Sequence, residues 1–312
     1  MYDLIGDIHG HADELVQLLE TLGYGKVQGA YRHPERKVIF LGDFIDRGPK
    51  IRQVLETVRP MIEERTALAV MGNHELNALA YHTEDPETPG QYLRRHSPKN
   101  EHQHRQTLEQ LKPQELRSYL EWFRTLPMWL DLDGVRAVHA CWDDRKIGKI
   151  ANAIEEHGGI TSAFLQSACL EGRSLIGPVE VVLKGKEAAL PDGITFSDKD
   201  GHVRTSTRIR WYLSPNGHSY RTYALTDEIA CDLELDATVI AEADPYPITA
   251  KPVFVGHYWL SADRPEILAE NVACLDFSVA KGGFLCAYRW NGEQKLSNEN
   301  FVWVKGGKIT ND

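Results

Sequence analysis

The chain has 312 residues, of which 42% are hydrophobic and 26% charged, a composition typical of a globular protein and not of a disordered one. Its 35 basic and 45 acidic residues give a formal charge of −10, which argues against a general binder of nucleic acid or of anionic membranes. The longest apolar run is five residues, whereas a membrane span needs about 20, and no export signal is visible, so we expect a cytoplasmic protein with free thiols.

The first 75 residues alternate predicted strands and helices. Apolar runs predict strands at 2–6, 37–41 and 67–71. Apolar residues at helical spacing predict a helix over 12–22 and a second helix from Pro49 to about residue 62, which Pro60 should kink or end. This β-α-β-α-β order indicates a parallel or mixed sheet covered by helices.

The rest of the chain is interpreted as a continuation of this core with two insertions. The predicted elements are a loop at 83–98, helices within 105–124 divided by Pro113, a strand at 135–142, helices at 146–157 and 162–170, and strands at 252–259 and within 272–290. Residues 184–223 are polar and rich in glycine, and SPNG at 214–217 predicts a turn between two strands. We therefore predict a single domain over 1–312, with insertions at about 76–134 and 146–250.

Five short motifs follow predicted strands. They are GDIHG at 6–10, GDFIDRG at 42–48, GNHE at 72–75, VHA at 138–140 and VGH at 255–257. Ligands of open α/β sheets bind beyond the carboxyl ends of the strands, so we expect the five loops to meet at one edge.

These loops carry oxygen and imidazole donors and no thiolate. The candidate metal ligands are Asp7, His9, Asp43, Asn73, His139 and His257. Such a set suits Mn²⁺, Fe or Zn²⁺ better than a sulfur-preferring ion. Six ligands are too many for one tetrahedral site and suit two cations about 3.5–4 Å apart, bridged by one carboxylate and a hydroxide. The glycines beside the donors permit tight turns and close approach to a ligand.

Any one of these motifs alone is better explained as a turn or a helix cap, but the ordered set resembles the signatures of the calcineurin-like metallophosphoesterases. The DRG ending of the second motif and Glu75 of the third resemble the phosphoprotein phosphatase branch, which also contains symmetrical dinucleoside tetraphosphate hydrolases. The resemblance implies an α/β (α+β) fold in which two mixed sheets pack together with helices outside.

The resemblance also implies a role for each residue of the motifs. Asp7, His9 and Asp43 resemble the ligands of a first metal, and Asp43 bridges to a second that Asn73, His139 and His257 complete. His74 resembles the general acid, oriented by Asp46, and Arg47 resembles the phosphate clamp, with Asn73 and His74 also at the phosphate. The implied cofactors are two divalent cations, Mn²⁺ first, with Fe or Zn²⁺ as alternatives.

The implied reaction is attack by a metal-bridging hydroxide on a phosphomonoester, as in serine/threonine protein phosphatases. The alternative is a symmetrical bis(5′-nucleosyl)-tetraphosphate hydrolase, so the substrate is a phosphoprotein, a nucleotide or a small phosphate ester. A catalytically silent scaffold would lack a ligand, the acid or the clamp, and none of these is missing. VHAC at 138–141 in place of VHGG, and Ser278 where glycine is common, leave the substrate class open.

Several features keep two interpretations. A second phosphate-binding arginine is expected among Arg204, Arg208, Arg210 and Arg221. The stretch 96–105 (HSPKNEHQHR) is a solvated polar loop or, less in keeping with its composition, a second metal site or a substrate lid. Arg94 and Arg95 are solvated or meet an anionic substrate. The apolar residues Trp122, Phe123, Trp129 and Leu130 form helix core or a base-binding pocket.

Overall fold

The computed structural model of the chain describes residues 1–197, 202–225 and 229–307. Its strands are β1 (Tyr2–Ile5), β2 (Gly25–Val27), β3 (Ala30–Arg32), β4 (Lys37–Phe40), β5 (Ala67–Ala69), β6 (Trp129–Asp131), β7 (Arg136–Val138), β8 (Glu187–Ala189), β9 (Phe196–Ser197), β10 (Val203–Arg204), β11 (Ser206–Arg208), β12 (Val253–Val255), β13 (Val272–Cys274), β14 (Asp276–Phe277), β15 (Phe284–Trp290) and β16 (Phe301–Lys305). Its α-helices are α1 (Ala12–Thr21), α2 (Ile51–Glu63), α3 (Asn73–Tyr81), α4 (Pro98–Gln110), α5 (Pro113–Phe123), α6 (Asp144–His157), α7 (Ser162–Cys169), α8 (Ile176–Lys184), α9 (Tyr220–Tyr223) and α10 (Ala237–Glu242). Within the described ranges, no helix has both the length and the apolar character that crossing a membrane requires.

The larger sheet is mixed and contains the three strands predicted near the start of the chain. Its strand order is β14-β15-β1-β4-β5, and β16 also pairs with β15. Strands β1, β4 and β5 are parallel, with Ile5 opposite Phe40 and Phe40 opposite Ala69. The loops that follow these strands therefore leave the sheet at one edge.

The smaller sheet has strand order β13-β12-β7-β6 and is also mixed. Strands β7 and β12 are parallel, which brings the two later motifs to the same edge as each other. Leu4 and Tyr288 of the larger sheet and Phe254 of the smaller one are fully buried in one apolar cluster. The two sheets thus pack face to face, as the resemblance implied.

Helices cover the outer faces of the sheets. The largest apolar cluster joins α1 and α2 to the larger sheet and α6, α7 and α8 to the smaller one. A separate small cluster, which includes Ile209, Tyr220 and Tyr223, lies within the predicted second insertion. The boundaries of that insertion, and the division of the chain into one domain, stay predictions.

Several local predictions were wrong. The strand predicted at 252–259 ends at Val255. Helix α2 continues through Pro60 to Glu63, because Pro60 lies in the last turn and its carbonyl accepts the N–H of Glu64 at 2.9 Å. The predicted strand at 135–142 ends at Val138, where the chain leaves the sheet. The turn at 214–217 is present, but β11 and the short helix α9 flank it in place of two paired strands.

Candidate metal centre and active site

The five strand-end loops meet around the buried carboxylate of Asp43. Its Oδ2 lies 3.5 Å from His9 Nε2, 3.4 Å from His139 Nε2 and 3.9 Å from His74 Nε2. All four side chains are buried. Loops that are far apart in sequence therefore deliver three imidazoles to one carboxylate oxygen.

The other predicted ligands complete the same cluster. Asn73 Oδ1 lies 3.0 Å from His139 Nε2 and 2.7 Å from His257 Nδ1. The backbone N–H of His257 donates to Asp7 Oδ2 at 3.0 Å. The Nε2 atom of His257 is buried and has no hydrogen-bond partner among the described residues. The structure thus brings all six predicted ligands together.

The orientation of these donors fits a cation. His9 and His139 each point Nδ1 at a backbone carbonyl, that of Ile45 at 2.9 Å and that of Leu41 at 2.6 Å, so each ring turns Nε2 toward Asp43. In the described parts of the chain, His9 Nε2 and Asp7 Oδ1 are buried without a hydrogen bond. Buried polar atoms of this kind are costly unless a ligand satisfies them. Histidine ligands of metals are commonly fixed by just such a bond from the other ring nitrogen.

The electrostatics of the cluster point the same way. Burial, and next Asp276, raise the pKa of Asp7 well above its ordinary value. Burial lowers the pKa of His139, but the carboxylates of Asp43 and Asp7 outweigh it and bring the value to about 10. Burial and the neighbouring His74 lower the pKa of His9 to about 3. The two carboxylates therefore attract positive charge into this cluster, and divalent cations would supply it.

Asp46 holds His74 and is itself held by helix α4. His74 Nδ1 lies 2.5 Å from Asp46 Oδ2, and His104 Nδ1 lies 2.8 Å from Asp46 Oδ1. The Thr107 hydroxyl donates to Oδ1 at 2.6 Å and accepts the backbone N–H of Asp46 at 3.0 Å. Burial raises the pKa of Asp46, but the hydrogen bonds from His104 and His74 outweigh it and hold the pKa well below its ordinary range.

Neither His104 nor Thr107 was among the predicted site residues. Thr107 lies in the helix predicted from residue 105 without a role, and His104 lies in the stretch 96–105, which was interpreted as a solvated loop. That interpretation was wrong from Pro98 onward, where α4 begins after the N-cap Ser97, whose side chain accepts the N–H of Asn100 at 3.3 Å. The buried residues of α4 are polar, so the apolar period that marks a helix in sequence is absent. The proline after a serine cap was the available signal.

Arg47 lies exposed at the rim of the cluster. Its guanidinium carbon is 3.9 Å from the ring centre of Trp259, a cation–π arrangement. Asp46, Arg47 and His257 have φ angles of +66°, +67° and +70°, in the left-handed region that residues other than glycine rarely adopt. Strain of this kind persists where the surrounding structure holds a functional geometry.

The structure distinguishes among the four candidate second arginines. After burial, the charge of Arg208 is the largest cause that lowers the pKa of His257, so Arg208 lies beside the cluster. Its buried Nε has no hydrogen-bond partner among the described residues. Arg210 donates to a backbone carbonyl, Arg221 forms an exposed ion pair, and Arg204 is exposed. Of the four, Arg208 is therefore the candidate whose charge acts on His257.

Glu75 ties two of the loops together from beneath. Its carboxylate accepts the backbone N–H groups of Asp43 at 2.8 Å and of Gly72 at 3.0 Å. A Cβ on Gly72 would lie 2.2 Å from Asp43 Oδ1, and one on Gly256 would lie 2.0 Å from Asp7 Oδ1. Glycine at both positions lets the backbone approach the ligand carboxylates, as the sequence predicted.

The aromatic cluster proposed as a base pocket belongs to the core. Trp122 is 6% exposed and Phe123 is fully buried, and both lie in the largest apolar cluster, with Trp129 packed against it. The helix-core interpretation is confirmed for Trp122 and Phe123, whereas Trp129 and Leu130 lie on strand β6 and are partly buried.

Comparison with known proteins identifies the family. A family model described as calcineurin-like phosphoesterase matches residues 2–239, and the chain belongs to this family. A cold-active protein-tyrosine phosphatase of a psychrophilic Shewanella species shares the fold, with a TM-score of 0.54 and 18% identity over 98% of this chain and 80% of that one.

Two sequence relatives carry a more specific name. The chain is 45% identical over 74 residues to the asymmetrical bis(5′-nucleosyl)-tetraphosphatase PrpE of Halalkalibacterium halodurans, a match to 23% of this chain and 30% of the relative. It is 30% identical over 169 residues to the protein of the same name from Oceanobacillus iheyensis, a match to 52% of this chain and 66% of the relative. The chain thus spans less than two thirds of the length of either relative.

Proposed function

We propose that this calcineurin-like phosphoesterase is a dimetal hydrolase that cleaves bis(5′-nucleosyl)-tetraphosphates. The observation that carries the hydrolase proposal is the buried ring of donors around Asp43, which lies beside the His74–Asp46 pair. The names of the two relatives support the substrate class.

The predicted ligands divide into two sets that share Asp43. Asp7, His9 and Asp43 would hold one cation, and Asp43, Asn73, His139 and His257 would hold the other. When bound, two divalent cations lower the pKa of water to supply a nucleophile and offset phosphate charge. The donor set, with its oxygens and imidazoles and without thiolate, favours Mn²⁺, with Fe or Zn²⁺ as alternatives.

The remaining residues act on the phosphate and on the leaving group. Arg47 and Arg208 donate hydrogen bonds to phosphoryl oxygens, and charge-assisted bonds of this kind strengthen as negative charge develops. His74, held through Nδ1 by Asp46, gives a proton from Nε2 to the departing oxygen as its bond to phosphorus breaks. General acid catalysis of this kind contributes about 10²–10⁴ in rate.

The sequence analysis placed a protein phosphatase-like reaction first, and the relatives favour its alternative. That alternative was symmetrical cleavage, whereas both relatives are named asymmetrical. We therefore infer that a nucleoside monophosphate and a nucleoside triphosphate are the products.

The test compares substrates at equal concentration in Mn²⁺ buffer. We expect diadenosine tetraphosphate to be hydrolysed faster than a phosphoserine peptide, with AMP and ATP resolved by chromatography and no activity after chelation. Two molecules of ADP would overturn asymmetrical cleavage in favour of the symmetrical alternative. Faster turnover of the peptide would overturn the nucleotide proposal.

A further inference from the structure

Two cavities lie at helix α4 and the loop that precedes it. The smaller is lined by Asp46, Asn77, Ala78, Tyr81, Arg94, Asn100, Gln103 and His104. The larger is an open cleft of about 190 Å³, lined by Gly90, Gln91, Tyr92, Arg95 and His96. Tyr81 lines the smaller cavity and its ring stacks on His96, which lines the larger, so the two cavities are adjacent.

The cleft contains a stack of aromatic rings. The His96 ring is stacked on Tyr81 with centroids 3.9 Å apart and on Tyr92 with centroids 4.1 Å apart, and its planes are within 20° of both. His96 Nε2 lies 2.9 Å from the carbonyl oxygen of Tyr81, which fixes the ring. The half-buried Tyr92 and the exposed His96 both line the cleft. A rigid aromatic surface of this kind can accept the face of a nucleobase.

A line of polar groups connects this surface to the proposed acid. Gln103 Nε2 lies 3.3 Å from His74 Nε2, the atom that would face a leaving group. Arg94 donates to Gln103 Oε1 at 2.8 Å and to Asn77 Oδ1 at 3.0 Å. These two acceptors are neutral amides that orient the guanidinium, and the nearest carboxylate in the cavity, that of Asp46, is already bonded to His74 and His104. Arg95, the next residue, adds a second positive charge, and it lines the cleft.

We propose that this leaving-group surface, formed by Gln103, Arg94, Arg95, Tyr92 and His96, binds the nucleotide that departs from His74. Gln103 and the two arginines contact its phosphates. Because Tyr81 and Tyr92 cover the two faces of the His96 ring, the base stacks on the outer face of Tyr92, which His96 holds in place. Arginine recognises phosphate through paired N–H groups, and an aromatic face is tolerant of base identity. The inference rests on the proposed function, because only a nucleotide substrate has such a leaving group.

The first test measures kcat/KM for diadenosine tetraphosphate relative to kcat/KM for β-glycerol phosphate, which has no base. We expect Tyr92→Ala and Arg95→Ala each to lower this ratio about tenfold, equivalent to about 1.4 kcal/mol, mainly through KM for the nucleotide. Tyr92→Phe keeps the ring and should restore the ratio. Arg105→Ala, an exposed arginine on α4 that lines neither cavity, is the matched control and should keep the wild-type ratio.

The second test separates this inference from the proposed function. ATP, with Mn²⁺ in excess, should inhibit hydrolysis of β-glycerol phosphate competitively, and Tyr92→Ala should weaken the inhibition about tenfold. Unchanged ratios and unchanged inhibition in both alanine variants would overturn the leaving-group surface and leave the proposed function standing. A wild-type enzyme that does not cleave diadenosine tetraphosphate would overturn the proposed function, and the surface as a leaving-group site with it.

Discussion

The strand-end loops and helix α4 both build the site, yet only the loops are visible in the sequence. The loops combine apolar strands, glycines and metal-compatible donors, and they place the other five predicted ligands around Asp43. Helix α4 supplies two buried side chains, His104 and Thr107, that contact Asp46. The comparison shows that sequence motifs mark the predicted metal ligands and the predicted acid. The side chains that hold Asp46 in place, His104 and Thr107, belong to no motif.

The contrast has an energetic counterpart. A ligand shared by two cations has no substitute, whereas a residue that holds another residue in place is one of several contacts. We therefore expect the effect of substitution to fall from Asp43, through the acid and the clamp, to α4.

The largest effect is expected at Asp43. We predict that Asp43→Asn reduces both metal content and hydrolysis to background, because one carboxylate faces both sets of ligands. Plasma emission spectroscopy measures the metal, with Asp133→Asn, an exposed carboxylate, as the control. Retention of two metal ions per chain in Asp43→Asn would contradict the bridging role.

Substitution of the proposed acid should separate metal binding from proton transfer. We predict that His74→Asn keeps its metal and slows esters with poor leaving groups by about 10²–10⁴, and esters with good leaving groups much less. A series of aryl phosphates of graded leaving-group pKa measures this. Equal slowing across the series would argue against the acid role of His74.

Substitution of Arg208 tests whether this arginine contributes to the same site as the strand-end loops. Only the structure distinguished it from the other three candidate arginines. Loss of a hydrogen-bond donor to developing charge commonly costs about 10²–10³ in rate, so we predict a fall of about 10² in kcat/KM for Arg208→Ala. Arg221→Ala, which removes an exposed ion pair, is the matched control. Equal behaviour of the two variants would exclude Arg208 from the phosphate site.

The smallest effect is expected on α4. Thr107→Val removes the hydroxyl that makes two hydrogen bonds with Asp46. Because Thr107 acts on the proposed acid only through Asp46, we predict a fall of about tenfold in kcat for substrates with poor leaving groups. The free energy of unfolding should fall by about 1 kcal/mol. Thr107→Ser keeps the hydroxyl and should restore the rate. If serine and valine variants are equally slow, packing and not the hydrogen bond explains the defect.

The parts of the fold that the sequence predicted are those where local pattern and tertiary position agree. Strands β1, β4 and β5 are buried on both faces, so most of their residues are apolar. A continuous apolar run of this kind is recognisable in the sequence. The start of α4 was predicted seven residues too late, because its buried His104 and Thr107 do not read as apolar. Arg208 could not be chosen among four arginines, because its proximity to His257 depends on contacts across about 50 residues of chain.

The pairing of the first strand has a consequence for how the enzyme is made. Strand β1, which leads directly into Asp7 and His9, lies between β4 and β15, with Tyr2 opposite Trp290. During synthesis β1 can pair early with β4, but its second partner is almost the last strand of the chain, and non-local contacts of this kind slow folding. A growing chain therefore has no complete metal centre until β12 and β15 have emerged from the ribosome. The activity should then be acquired all at once, close to the end of translation.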